Sequence, residues 1–166
     1  MRGFFRQATL VAIASIALLS AASAANKKPQ VSTNNTKTHV AAKPHRVVIQ
    51  VDQNDPAVMN LALNNATNVI EYYRAKGQDA DVDIVTYGPG LHMLRADTSP
   101  VKDRIKALKD AAFPSKIQFS ACNNTKEGME KKEGHPISVL SEAVIVPSGV
   151  VRLMEMQEKG WSYIRP

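Results

Sequence analysis

Short apolar runs recur along this chain, separated by longer stretches with apolar residues every three or four positions. Val47-Val48-Ile49-Gln50-Val51 is nearly all apolar, as expected for a strand covered on both faces. Val82, Ile84 and Val85 predict a second strand, Ile117–Ala121 a third, Ala143–Val146 a fourth and Trp161–Ile164 a fifth. Helical spacing fills the gaps. Asp55 caps a helix with Pro56 at its first position, Val58, Ala62, Ala66, Val69 and Tyr73 mark its core face, and Gly77 ends it. Ser99-Pro100 repeats the device before Val101, Ile105, Leu108 and Ala112. A short polar helix is predicted from Asn124 to Lys132, and another from Gly149 to Lys159, stopped by Gly160.

Strands alternating with helices imply parallel pairing through right-handed crossovers. The predicted fold is α/β: a three-layer, doubly wound, mainly parallel five-stranded sheet, flavodoxin-like, with strand order 2-1-3-4-5. In such sheets ligands sit beyond the carboxyl ends of the strands, at the switch point between strands one and three. Gln53-Asn54-Asp55 and Cys122-Asn123-Asn124-Thr125 are predicted there, with Gly88-Pro89-Gly90-Leu91-His92 after strand two and Pro147-Ser148-Gly149 after strand four. Asn54, Gly88, Gly90, His92, Asn123 and Thr125 are the candidate cleft residues.

Those loops exclude several uses of the fold. The first loop lacks the Ser/Thr/Gly-rich phosphate cradle of a flavin site. Gly88-Pro89-Gly90 is too short and too late for a dinucleotide fingerprint. Strand three ends in Cys122 where a phospho-acceptor receiver needs Asp. No paired ligand set for a metal is present, and no cofactor is expected.

Cys122 is the only cysteine in 166 residues, which excludes a disulfide scaffold and a multi-cysteine metal site. Between a strand and a helix start, unpaired backbone N–H groups favour an anion and can lower a thiol pKa. The plainer reading is a small, buried core residue. His92 is a candidate base or donor near the cleft, or a surface loop residue. Asn123 and Thr125 can also serve simply as caps of the following helix.

The net charge of +6 resides at the N-terminus. Residues 1–24 carry +2 and residues 25–46 carry +5 with no acids, so the remainder holds 14 basic residues against 15 acidic ones. A folded nucleic-acid surface is therefore not expected. Arg2 and Arg6, the uncharged run Ala8–Ala21 and Ala22-Ser23-Ala24 have the anatomy of an export signal cleaved after Ala24. The run is shorter than the ~20 residues a membrane span needs. A signal peptide (1–24), a disordered basic leader (25–45) and one domain (46–166) are expected. The mature protein should be periplasmic or secreted, with no membrane association.

Two helices suggest contacts. Asn60, Asn64 and Asn68 form a polar stripe, either a solvated face or a seam between subunits. Val150, Val151, Leu153, Met154 and Met156 make an apolar face wider than one core stripe, which favours a subunit contact.

From residue 46 to 166 the chain resembles the DsrE/DsrF-like (YchN-like) sulfur-relay family, and most of all its exported, signal-peptide-bearing branch. The likeness rests on Val47–Val51, the Asn-rich first helix, Val85-Thr86-Tyr87-Gly88-Pro89-Gly90 and Phe119-Ser120-Ala121-Cys122-Asn123-Asn124-Thr125. Val146-Pro147-Ser148-Gly149-Val150 and Gln157-Glu158-Lys159-Gly160-Trp161-Ser162-Tyr163-Ile164 complete it. The resemblance implies a homotrimer or homohexamer and, in the best-understood members, a cysteine after strand three that carries a persulfide. Cys122 falls at that place. Two functions follow: a thiol-based sulfur carrier or transferase with a sulfur donor or acceptor protein as partner, or a non-catalytic oligomeric module that binds a small ligand or anion and has a structural cysteine.

Overall fold

The structure, a computed structural model, describes residues 43–166. The expected export signal and all but the last three residues of the expected leader lie outside the described residues. Five strands, β1 (His45–Val51), β2 (Ala80–Thr86), β3 (Lys116–Cys122), β4 (Ala143–Val146) and β5 (Ser162–Ile164), form one sheet in which all neighbours are parallel. Helices α1 (Pro56–Arg74), α2 (Lys102–Ala111), α3 (Asn123–Glu133) and α4 (Gly149–Glu158) connect them. The expected α/β, flavodoxin-like sandwich is present.

The strand order is β4-β3-β2-β1-β5, not the predicted 2-1-3-4-5. Three successive crossovers each step one strand in the same direction, with α1, α2 and α3 on one face. The chain then returns through α4 on the other face and places β5 beside β1. Right-handed crossovers require this change of face when the direction of travel reverses.

The larger core lies under the first face. Val47, Ile49, Val51, Val82, Ile84, Ile117 and Phe119 pack there against Met59, Leu63, Ile70 and Ile105. The second face has only α4, whose Leu153 and Met156 pack on Val48 and Val85. Alternation along the strands sends Asp83, Gln118 and Ser120 to that face, because Val48 pairs with Asp83, Asp83 with Gln118, and Val85 with Ser120.

Local signals worked where side chain and backbone agree. The Asp55 carboxylate accepts from the Ala57 N–H at 2.7 Å, and Pro56 opens α1. The buried side of α1 is Met59, Ala62, Leu63, Ala66 and Ile70, with Val58 and Val69 only partly covered. Ser99 accepts from Val101 N–H at 3.3 Å but donates to the Met93 carbonyl at 2.6 Å, so it braces a turn and α2 starts at Lys102. The asparagine stripe is partly used within the chain: Arg104 of α2 donates to Asn60 and, at 2.8 Å, to Asn64.

The largest departure is at Gly88-Pro89-Gly90. These residues open a 3₁₀ segment, Gly88–Leu94, that lies across the end of β1. A Cβ on Gly90 would stand 2.1 Å from the Val51 carbonyl oxygen, so only glycine permits this approach. No helix among the described residues is long and apolar enough to cross a membrane.

Candidate functional site

Cys122 ends β3 and serves as the N-cap position of α3, with φ −67° and ψ 116°. Its partner across the sheet is Val146, the last residue of β4. At this pair of strands the connections part: β3 runs into α3 on one face and β4 into α4 on the other. The topological switch point is therefore between β3 and β4, not between strands one and three, which are separated by β2. The crevice in which such sheets bind ligands is the one that holds Cys122.

Two helix starts lie beside Cys122: it directly precedes α3, and Gly149, the first residue of α4, stands where a Cβ would be 3.3 Å from the Cys122 Cβ. The Thr125 N–H belongs to the first turn of α3 and the Gly149 N–H to the start of α4. The Thr125 hydroxyl accepts the Gly88 N–H at 2.9 Å, which leaves its own hydrogen to donate to the sulfur. Gly88 has φ +51°, a conformation that favours glycine, and this aims its N–H at Thr125. Cys122 is only 4% exposed, and burial by itself pushes the thiol up. The Thr125 hydroxyl and then the Gly149, Thr125 and Asn124 N–H groups outweigh it, so the thiol is held below its ordinary value.

The β4–α4 turn is built for this contact. Ser148 caps α4 by accepting from Val151 N–H, and the Asn124 N–H donates to the Pro147 carbonyl at 3.3 Å. Gly149 lies where a Cβ would be 2.9 Å from Tyr87 Cβ and 3.3 Å from Cys122 Cβ. Glycine is required here for close approach rather than for its backbone angles.

Of the sequence-predicted site residues, Gly88 and Thr125 join Cys122. Gly90 has a packing role against Val51. Asn54 is exposed in the β1–α1 loop. His92 uses Nδ1 with Thr98 Oγ1, 2.8 Å away. Asn123 donates to Glu127 at 2.7 Å, and neither it nor Thr125 caps α3, since the cap position is Cys122 itself.

Sequence reasoning missed the roles of two groups beside the cysteine and one deeper under α4. Gly149 was visible only as the end of a loop and the start of a helix. Tyr87, packed beside Gly149, has its phenol pushed up by burial and by the neighbouring Asp52 and Tyr163. Asp83 is wholly buried on the α4 face and paired with Arg152. Its signal was available: a carboxylate between Val82 and Ile84 in a strand covered on both faces must find a partner. A cavity of about 540 Å³ is lined by Asp83, Lys109, Lys116, Gln118 and Arg152 but not by Cys122. No three His, Cys, Asp or Glu side chains gather as a metal set among the described residues.

No curated protein significantly matches this sequence. The solved structure of MTH1491, a protein of unknown function from Methanobacterium thermoautotrophicum, is similar at 28% identity. The match covers 74% of this chain and 99% of that one, with a TM-score of 0.60. The model of the DsrE/DsrF-like family matches residues 45–166, from the first residue of β1 to the end of the sequence. The chain belongs to the DsrE/DsrF-like family.

Proposed function

We propose that this protein is a sulfur carrier or transferase that holds a persulfide on Cys122. The single observation behind this reading is the place of Cys122 at the sheet's switch point, at the N-cap position of α3 and packed against Gly149 at the start of α4. The family, whose members are generally sulfur-relay proteins, supplies the chemistry. The Cys122 thiolate attacks the outer sulfur of a donor persulfide, R–S–SH. The donor's S–S bond breaks, R–S⁻ leaves with the electron pair, and Cys122–S–SH forms. Delivery is the reverse: an acceptor thiolate takes the outer sulfur and Cys122 leaves as thiolate. A lowered pKa favours both the attacking and the leaving form near neutral pH.

Two further parts of this reading concern its setting. Val150, Val151 and Met154 on the outer side of α4 are 49%, 49% and 54% exposed, which supports a homotrimer or homohexamer built through that face. The Arg2/Arg6 region and Ala22-Ser23-Ala24 support an exported protein that begins at Ala25, whose sulfur donor then lies outside the cytoplasm.

Intact mass spectrometry before and after a low-molecular-weight persulfide, and again after a reductant, tests the proposal. Gain of one sulfur atom that Cys122→Ser abolishes and reductant reverses is expected. The near-complete burial of the sulfur favours the second reading, a binding module with a structural cysteine. Under that reading the mass does not change.

A further inference from the structure

The contact between α4 and the sheet has four buried apolar side chains, Val48, Val85, Leu153 and Met156, flanked by the half-buried Tyr87 and Trp161. Beside them is a fully buried carboxylate. Asp83 Oδ2 accepts from Arg152 Nε at 2.9 Å and Nη2 at 2.7 Å, and Oδ1 accepts the Ser120 hydroxyl at 2.7 Å. Gln118 donates to Ser120 Oγ at 2.9 Å, and the Lys109 charge also acts on Asp83. Burial pushes the Asp83 carboxyl up, and the hydrogen bonds from Ser120 and Arg152 pull it back toward the ionised form.

The placement of this network relates it to the thiol. Ser120 is two residues before Cys122 and on the same face of β3. Arg152 is three residues after Gly149, about 4.5 Å along α4 at 1.5 Å per residue. The elements that meet at the sulfur are thus clamped together one step below it. We infer that the Asp83–Arg152 pair, seated on Ser120, is a positioning device for Cys122 that fixes the first turn of α4 so that Gly149 stays packed against the cysteine. This rests on the reading of Cys122 as a working thiolate. The apolar contact is small, and the two-point guanidinium contact adds a directional tie that apolar packing lacks. Positioning and simple charge effects have opposite signs for Asp83: removing a nearby anion favours a thiolate, whereas withdrawing an N–H donor disfavours it.

The experiment is the pH dependence of iodoacetamide labelling of Cys122 in the full-length and signal-cleaved protein, with Cys122→Ser as blank and far-UV circular dichroism as the check on folding. Arg152→Lys keeps the charge and loses the two-point contact; Asp83→Asn removes the acceptor charge; Ser120→Ala removes the seat. Arg152→Lys and Asp83→Asn should each raise the apparent thiol pKa and slow labelling at neutral pH by up to about tenfold, one pKa unit. Ser120→Ala should do so to a smaller extent. Folded Arg152→Lys and Ser120→Ala proteins with the wild-type profile overturn the inference, as does an Asp83→Asn thiol of lower pKa. If Asp83→Asn does not fold, the other two variants decide. A wild-type thiol that labels only on unfolding overturns the sulfur-carrier reading and this inference together. A wild-type thiol of lowered pKa that no variant shifts overturns the positioning role alone.

Discussion

Gly149 and Cys122 approach so closely that a single methyl group on the glycine would lie 3.3 Å from the cysteine Cβ, with Tyr87 tighter still on the other side. Gly149→Ala should therefore push the start of α4 off the sulfur. The expected cost is about 1–3 kcal/mol of stability, typical of overpacking, together with slower alkylation of Cys122 at neutral pH. Urea unfolding and labelling rates measure the two effects. An alanine variant with unchanged labelling would show that the Gly149 donor is dispensable.

Thr125 acts on the thiol through one hydrogen. Thr125→Val keeps the shape and loses the donor, so the apparent thiol pKa should rise by about one unit, while Thr125→Ser should stay near wild type. The sign of the stability effect follows. The thiol is more acidic folded than unfolded, so its ionisation stabilises the fold fully above the unfolded value of roughly 8.5. That contribution is lost as pH falls through the lowered folded value. The gap in urea midpoint between wild type and Thr125→Val should accordingly widen from pH ~6 to pH ~9.

The sequence revealed the elements better than their arrangement. Each strand was visible as an apolar run, and α1 announced itself through Asp55 and Pro56, because those signals are local. Strand order depends on which face each helix takes, and nothing near β4 states that α4 changes face. The breadth of the apolar set from Val150 to Met156 was the one hint. The position of Cys122 between strand and helix was legible because the apolar run of β3 ends there. The Gly149 contact was not, since it joins segments 27 positions apart through a backbone N–H that any residue would have. His92 was left open between a cleft group and a surface loop residue, and its Nδ1 pairs with Thr98 Oγ1, a contact that the spacing of six positions does not announce.

An acid-sensitive lock joins the 3₁₀ segment to α3. Arg95 is 2% exposed and pairs with Asp97 at 2.7 Å and Glu133 at 2.6 Å. The hydrogen bonds from Arg95 lower the Asp97 carboxyl from 3.8 to about 2. The stability this supplies is present above pH 3.8 and lost as pH falls through about 2. Asp97→Asn should lower the urea midpoint at neutral pH and converge with wild type near pH 2. Curves that stay parallel across that window would assign the lock to Glu133 alone.

Assembly through α4 can be broken without touching the core. Met154 is exposed in the single chain, so Met154→Glu should leave circular dichroism unchanged and convert a trimer or hexamer into smaller species in light scattering, because an unpaired charge at a buried contact is costly. A wild-type protein that is monomeric at micromolar concentration would remove this part of the reading.

The order of the strands also governs when the thiol acquires its character. Gly149 emerges after Cys122 and the whole of α3, and β5, which secures the far end of α4 against β1, comes last of all. A chain interrupted before Gly149 would possess the cysteine and one set of donors but not the second helix end. Full acidity of the sulfur is thus withheld until the start of α4 is in place, and alkylation of Cys122 becomes a chemical clock for the docking of that helix. Partly made or partly unfolded copies would present a more ordinary, slower thiol to whatever sulfur compounds surround them.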